Sequence, residues 1–116
     1  MAASANPPLI AVLSGTGLEI ARKVQQITGG ETVAPEGRAA GADRQVDRIG
    51  EAISGAFMAG RTVIGVMAAG SLIRILAPHL ADKRQEPPVI AIAEDGNSVV
   101  PLLGGHHGAN DLARKI

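Results

Sequence analysis

Between Val99 and Asp111 the sequence reads VVPLLGGHHGAND, a run of strand formers that passes into three glycines and two adjacent histidines. Imidazole titrates near neutrality, so His106 and His107 can move protons, ligate a metal or serve only as polar turn residues. A metal needs ligands that converge, whereas neighbouring side chains of an extended segment diverge, and His79 is remote in sequence. Ser71, His106 and Asp95 or Asp111 could supply the types of a nucleophilic triad, but no G-x-S-x-G elbow presents the serine. Three uses of the histidines therefore stay open: loop residues without a ligand, acid/base or substrate contacts, and a metal site.

A second group is cationic. Arg74, Lys83 and Arg84 either form a solvated face or, if they converge on a cleft, suit a polycarboxylate ligand, because guanidinium pairs bidentately with carboxylate. Two glycine turns are candidates by position, and the free amides of the first could hold a carboxylate or phosphate. GTGLEI at Gly15 to Ile20 opens like a dinucleotide loop, yet Ile20 stands where the third glycine belongs, and a bulky residue there obstructs close helix packing. In GVMAAGS, Ser71 occupies the place of the P-loop lysine, so no charge is available for phosphates.

Composition narrows the classes further. The chain has 116 residues, enough for one domain spanning 1–116 with a real core. Eleven basic and eleven acidic side chains balance, so no long-range field draws nucleic acid or an anionic membrane. The one aromatic, Phe57, offers no stacking platform for bases. Without cysteine there are no disulfides or thiolate metal sites, which is compatible with the cytoplasm. The N-terminal apolar run is short and follows Pro7 and Pro8, so neither a signal peptide nor a membrane span is expected.

The elements that must position these groups alternate. Leu9 to Leu13 reads as a buried strand, followed by a turn over Ser14 to Gly17 and a helix carrying Ile20, Val24 and Ile27 that stops at Gly29. Glu31 to Pro35 is a short second strand, and EGRAAGADRQ is an exposed connection without apolar period. Asp43 is the expected N-cap of a helix with Val46, Ile49, Ile53, Ala56 and Phe57 on one face. Thr62 to Ala68 reads as a central parallel strand, and the helix after it should break near Ala77, because Pro78 lacks an amide hydrogen. Val89 to Ala93 and VVPLL flank Asp95-Gly96 as a hairpin whose second strand is confined by Pro101 to an edge or a bulge. A final helix begins at Ala109 and leaves Leu112 and Ile116 on an unfinished apolar face, as expected of a piece of a longer protein. The expected fold is an α/β three-layer sandwich, Rossmann-like, with a mainly parallel sheet and one antiparallel edge strand.

From Thr62 onward the order of motifs resembles the N-terminal domain of the CbiG family, the cobalt-precorrin-5A hydrolases of cobalamin biosynthesis. The carrying motifs are Arg74-Ile75-Leu76-Ala77-Pro78, Asp82-Lys83, Pro87 leading into Glu94-Asp95-Gly96, and PLLGGHHGAN. The family's usual S-G-H-x-G-G-A-N appears as Gly104-Gly105-His106-His107-Gly108-Ala109-Asn110, so no serine nucleophile is available there. The form LLGGHHGAN looks closest to versions fused to a precorrin-3B methyltransferase.

What the resemblance implies is opening of a δ-lactone on ring A of a cobalt-corrinoid, with loss of a two-carbon fragment as acetaldehyde. His106 becomes the general acid or base, and Arg74, Lys83, Gly104, Gly105, His107, Gly108 and Asn110 become substrate contacts. Asn110 and the first amides of the last helix could steady an oxyanion. The expected partners are a corrinoid tetrapyrrole intermediate, further C-terminal domains of the same protein and a second copy in a homodimer. Neither a metal nor a cofactor is expected, and neither nucleic acid nor membrane. Two competing classes are a non-catalytic docking or dimerisation module of a bifunctional methyltransferase, and a small nucleotide-binding domain. If the hairpin forms, the histidine loop emerges at the sheet edge opposite the two glycine turns, and one site cannot use all three.

Overall fold

The computed structural model describes residues 7–80, 86–104 and 108–116. Its centre is β1, Leu9–Val12, four residues without a polar side chain and with no exposure. A strand apolar on both faces must be covered on both, and here it has helices above and below. β1 is followed by α1 (Gly15–Thr28), β2 (Glu31–Pro35), β3 (Arg44–Val46), α2 (Ile49–Met58) and β4 (Val63–Val66). The chain continues through α3 (Ala69–Leu76), a 3-10 turn (Ala77–His79), β5 (Val89–Ile92), β6 (Val99–Leu103) and α4 (Ala109–Lys115).

The six strands form one sheet in the order β3-β2-β1-β4-β5-β6. All neighbours are parallel except β5 and β6, which form the expected antiparallel hairpin with a register shift beside Pro101. One face packs Ile10, Val12, Ile64, Val66, Ile90 and Ile92 against α1 and α4. The other packs Leu9, Ala11, Val33, Val63, Val89 and Ala91 against α2 and α3. The architecture is the three-layer α/β sandwich that the alternation of strands and helices requires. No helix of the described residues is long and apolar enough to cross a membrane.

Local chemistry explains most boundaries. Gly29 ends α1 with φ +73°, the left-handed cap that glycine adopts without penalty. α3 gives way to the 3-10 turn at Ala77, one residue before Pro78. Two expectations are corrected. Ser14 to Gly17 is not a separate turn, because α1 starts at Gly15 with Ser14 at the N-cap position. Asp43 does not cap α2, which begins at Ile49 after Arg48.

Asp43 instead clasps three elements. Its carboxylate accepts hydrogen bonds from the Thr32 amide at 3.1 Å, from Gln25 Nε2 and from Arg22 Nη1, while its own amide donates to Thr32 Oγ1 at 2.8 Å. These bonds dock the three-residue β3 on β2, so the connection expected to be wholly exposed buries Ala39 and ends in a strand.

Candidate functional site

In an open α/β sheet the usual ligand crevice lies beyond the carboxyl ends of the strands, where strand order reverses. Here that point is between β1 and β4, at Ser14 to Gly17 and Ala68 to Ser71. The crevice is partly occupied by the protein itself. Ser14 Oγ does not cap α1 but donates a hydrogen bond to Glu94 Oε2 at 3.2 Å, reaching past β4 to the end of β5. A Cβ on Gly17 would lie 2.9 Å from Val66 Cγ1 and 3.6 Å from Glu94 Cγ. A carboxylate thus stands where α1 would offer its amides to a phosphate, and like charges repel. Together with Ile20, this arrangement disfavours the nucleotide-binding reading. Glu94 stood out in the sequence only within the Glu94-Asp95-Gly96 motif and not as a site residue; its pairing with Ser14 depends on strand order.

Gly104 and Gly108, which flank the histidines in sequence, lie at the opposite end. Because β6 runs antiparallel, Leu103 faces Val89 at the start of β5, and the loop leaves the sheet beside the amino ends of the parallel strands. Gly104 is buried there with φ +78°. A Cβ would come within 2.6 Å of Pro87 O and of Pro88 N and Cα, so both the dihedral angle and the close approach demand glycine. Ala109 N donates to Gly104 O at 3.2 Å and closes the loop at its base. Gly108, φ +96°, turns the chain into α4, and Leu112 N donates back to Gly108 O at 2.9 Å. Asn110 is exposed beside a small depression of 120 Å³ lined also by Pro101, Leu102, Leu103 and Ala109.

The structure therefore gathers Gly104, Gly108 and Asn110 around one loop base. Arg74 is exposed on α3, across the sheet from α4. Lys83, Gly105, His106 and His107, with Arg84, lie outside the described residues. Among the described residues no cluster of three or more histidines and carboxylates could hold a metal. Glu86, 8 % exposed, is a buried acid next to Pro87 that the sequence did not single out as a site residue.

Comparison with known proteins gives a consistent set of relatives. A family model described as cobalamin synthesis G N-terminal matches residues 51–116, which holds both Arg74 and the glycine-histidine loop. The cobalt-precorrin-5A hydrolase of Priestia megaterium is 38% identical over 55 residues, 47% of this chain and 15% of that protein. The cobalt-precorrin-5A hydrolase of Salmonella typhimurium is 43% identical over 62 residues, 53% of this chain and 18% of that one. The matched part is thus under a fifth of either relative's length. A crystal structure of a cobalamin biosynthesis protein G homologue from Sulfolobus solfataricus superposes with a TM-score of 0.66 at 25% identity, over 94% of this chain and 32% of that one.

Proposed function

Since the chain belongs to the cobalamin synthesis G N-terminal family, we propose that it acts on a corrinoid as the lactone-opening, substrate-holding part of a cobalt-precorrin-5A hydrolase. The observation that carries this reading is the loop base: Gly104 fixed against Pro87 and Pro88, and Ala109 bonded back to it, within the segment that the family model matches. Such a base fixes where a short catalytic loop leaves the sheet, and positioning is a large part of what a general base requires.

In the proposed reaction His106 takes a proton from a water molecule as the oxygen attacks the lactone carbonyl carbon. The ester C–O bond then breaks, the proton held by His106 passes to the departing alkoxide, and the carboxylic acid formed ionises to solvent. The freed 1-hydroxyethyl group gives up its hydroxyl proton as its C–C bond to the macrocycle breaks and the C=O of acetaldehyde forms, and the macrocycle carbon takes up the electron pair and then a proton. Asn110, at the loop base, donates to the oxyanion, and Arg74 and Lys83 contact peripheral carboxylates. Gly105 and His107 complete the loop, and the absence of bulky side chains at Gly104, Gly105 and Gly108 lets backbone approach a large flat ligand.

The test is an absorbance titration of the protein and of His106→Ala against cobalt-precorrin-5A, with acetaldehyde assayed in the same samples. The expected result is binding by both and acetaldehyde release by the parent protein alone. Binding without release by either protein would leave a substrate-holding domain and remove His106 from the chemistry. Absence of binding would favour the docking module.

A further inference from the structure

A different surface, on the α2 and α3 layer, has the shape and chemistry of a ligand seat. An open shelf of 540 Å³ is lined by Arg48, Gly50, Glu51, Ser54, Ile75 and His79. Gly50 and Ser54 are one helical turn apart on α2 and half-buried, so their side of the helix is nearly flat. A Cβ on Gly50 would only just touch Ile75 Cγ1, at 4.0 Å, so the floor is small residues on one helix and an aliphatic side chain on the other. His79 is half-buried at the last position of the 3-10 turn that follows α3.

The rim is polar. Arg48 pairs with Glu51 at 3.6 Å, but both side chains are three-quarters exposed, so the pair is weak and Arg48 can exchange it for another anion. Arg74 immediately precedes Ile75 on α3. Guanidinium and imidazole donors around a flat, partly aliphatic floor match a planar macrocycle with carboxylates at its periphery. None of these groups has the spacing of a motif, and the loop chemistry described above uses neither Arg48, Ser54 nor His79.

We propose that this shelf seats one face of a polycarboxylated corrinoid, with Arg48 and His79 holding peripheral carboxylates and Ile75 and Gly50 meeting the ring. The proposal rests on the corrinoid reading given above and adds the surface on which the ring lies. Glu51 opposes an anion at one point of the rim and favours a ligand whose carboxylates are spaced around it rather than clustered.

The test uses the whole 116-residue chain, labelled with ¹⁵N, and two diamagnetic probes: dicyanocobyrinic acid, which carries its carboxylates free, and its heptamethyl ester. Amide shifts are followed on titration of each, for the parent protein and an Arg48→Ala/His79→Ala double variant. The expected result is that the acid moves the amides of Gly50, Ser54, Ile75 and His79, that the ester binds more weakly, and that the double variant loses roughly tenfold in affinity for the acid. Shifts confined to Gly104 and Gly108 to Asp111, unchanged in the double variant, would overturn the shelf and leave the corrinoid reading standing. Equal binding of acid and ester would overturn the carboxylate contacts on which the proposal depends. No shift with either probe would overturn the shelf and the corrinoid reading together.

Discussion

At the scale of single residues, two positions have consequences out of proportion to their size. Gly104 has a positive φ and no room for a Cβ, because backbone atoms of Pro87 and Pro88 stand 2.6 Å from where it would lie. Neither obstacle relaxes by a rotamer change, so Gly104→Ala should cost about 3 kcal/mol, read as a lowered urea midpoint at unchanged slope. Asp43 has the opposite character, since its value comes from its charge. The Thr32 amide bond, opposed by desolvation and joined by Gln25 and Arg22, holds its carboxyl below the ordinary 3.8. The carboxyl therefore binds its proton more readily in the unfolded chain than in the folded one. Its contribution is whole above the ordinary value and is lost as pH falls through the lower folded value. Asp43→Ala should cost about 1 kcal/mol at neutral pH, the side chain being 39% exposed and its Arg22 pair screened. The gap between the two proteins should stay level from pH 7 to about pH 5 and narrow in stronger acid.

At the scale of elements, α1 tests whether an N-cap serine works through its helix. A serine that bonds the first helical amides loses about 1 kcal/mol on replacement by alanine. Ser14 makes no such bond and donates to Glu94, an exposed acceptor. Ser14→Ala should accordingly cost less than about 0.5 kcal/mol, and the cost should disappear when Glu94 is already alanine, as thermal unfolding of the four proteins of the cycle would show. The same elements show what sequence reveals and what it hides. β1, the stop at Gly29, the break before Pro78 and the hairpin were all legible, because each follows from an apolar run, a glycine or a proline acting on its own neighbours. β3 was not, since Arg44–Val46 has no apolar run and is docked by Asp43 reaching Thr32. The mistaken cap at Asp43 has the same origin: the side chain that could cap a helix accepts from the amide of buried Thr32 instead. The histidine loop could be singled out from its glycines, whereas the shelf joins Ser54 to His79 from two helices and has no local signature.

At the scale of the whole molecule, the hairpin decides at which end of the sheet the chain leaves β6. The crevice at the strand-order reversal and the loop base at Gly104 and Gly108 lie at opposite ends, so variants at the two should separate. If the chain binds a corrinoid as proposed above, Asn110→Ala should weaken that binding several-fold, while Ser14→Ala with Glu94→Ala should leave it unchanged, both read by the same absorbance titration. The sheet order has another consequence, in time rather than space. β1 leaves the ribosome first, yet it belongs between β2 and β4, and Leu9 meets Val63 only after about fifty more residues have been made. Until then a wholly apolar strand has one edge unpaired, which is the kind of surface that captures a neighbouring nascent chain. The interval before β4 is made is therefore the one in which this edge is open to capture, and slower initiation, which spaces nascent chains further apart, should raise the soluble yield, read as the fraction of protein left in the supernatant.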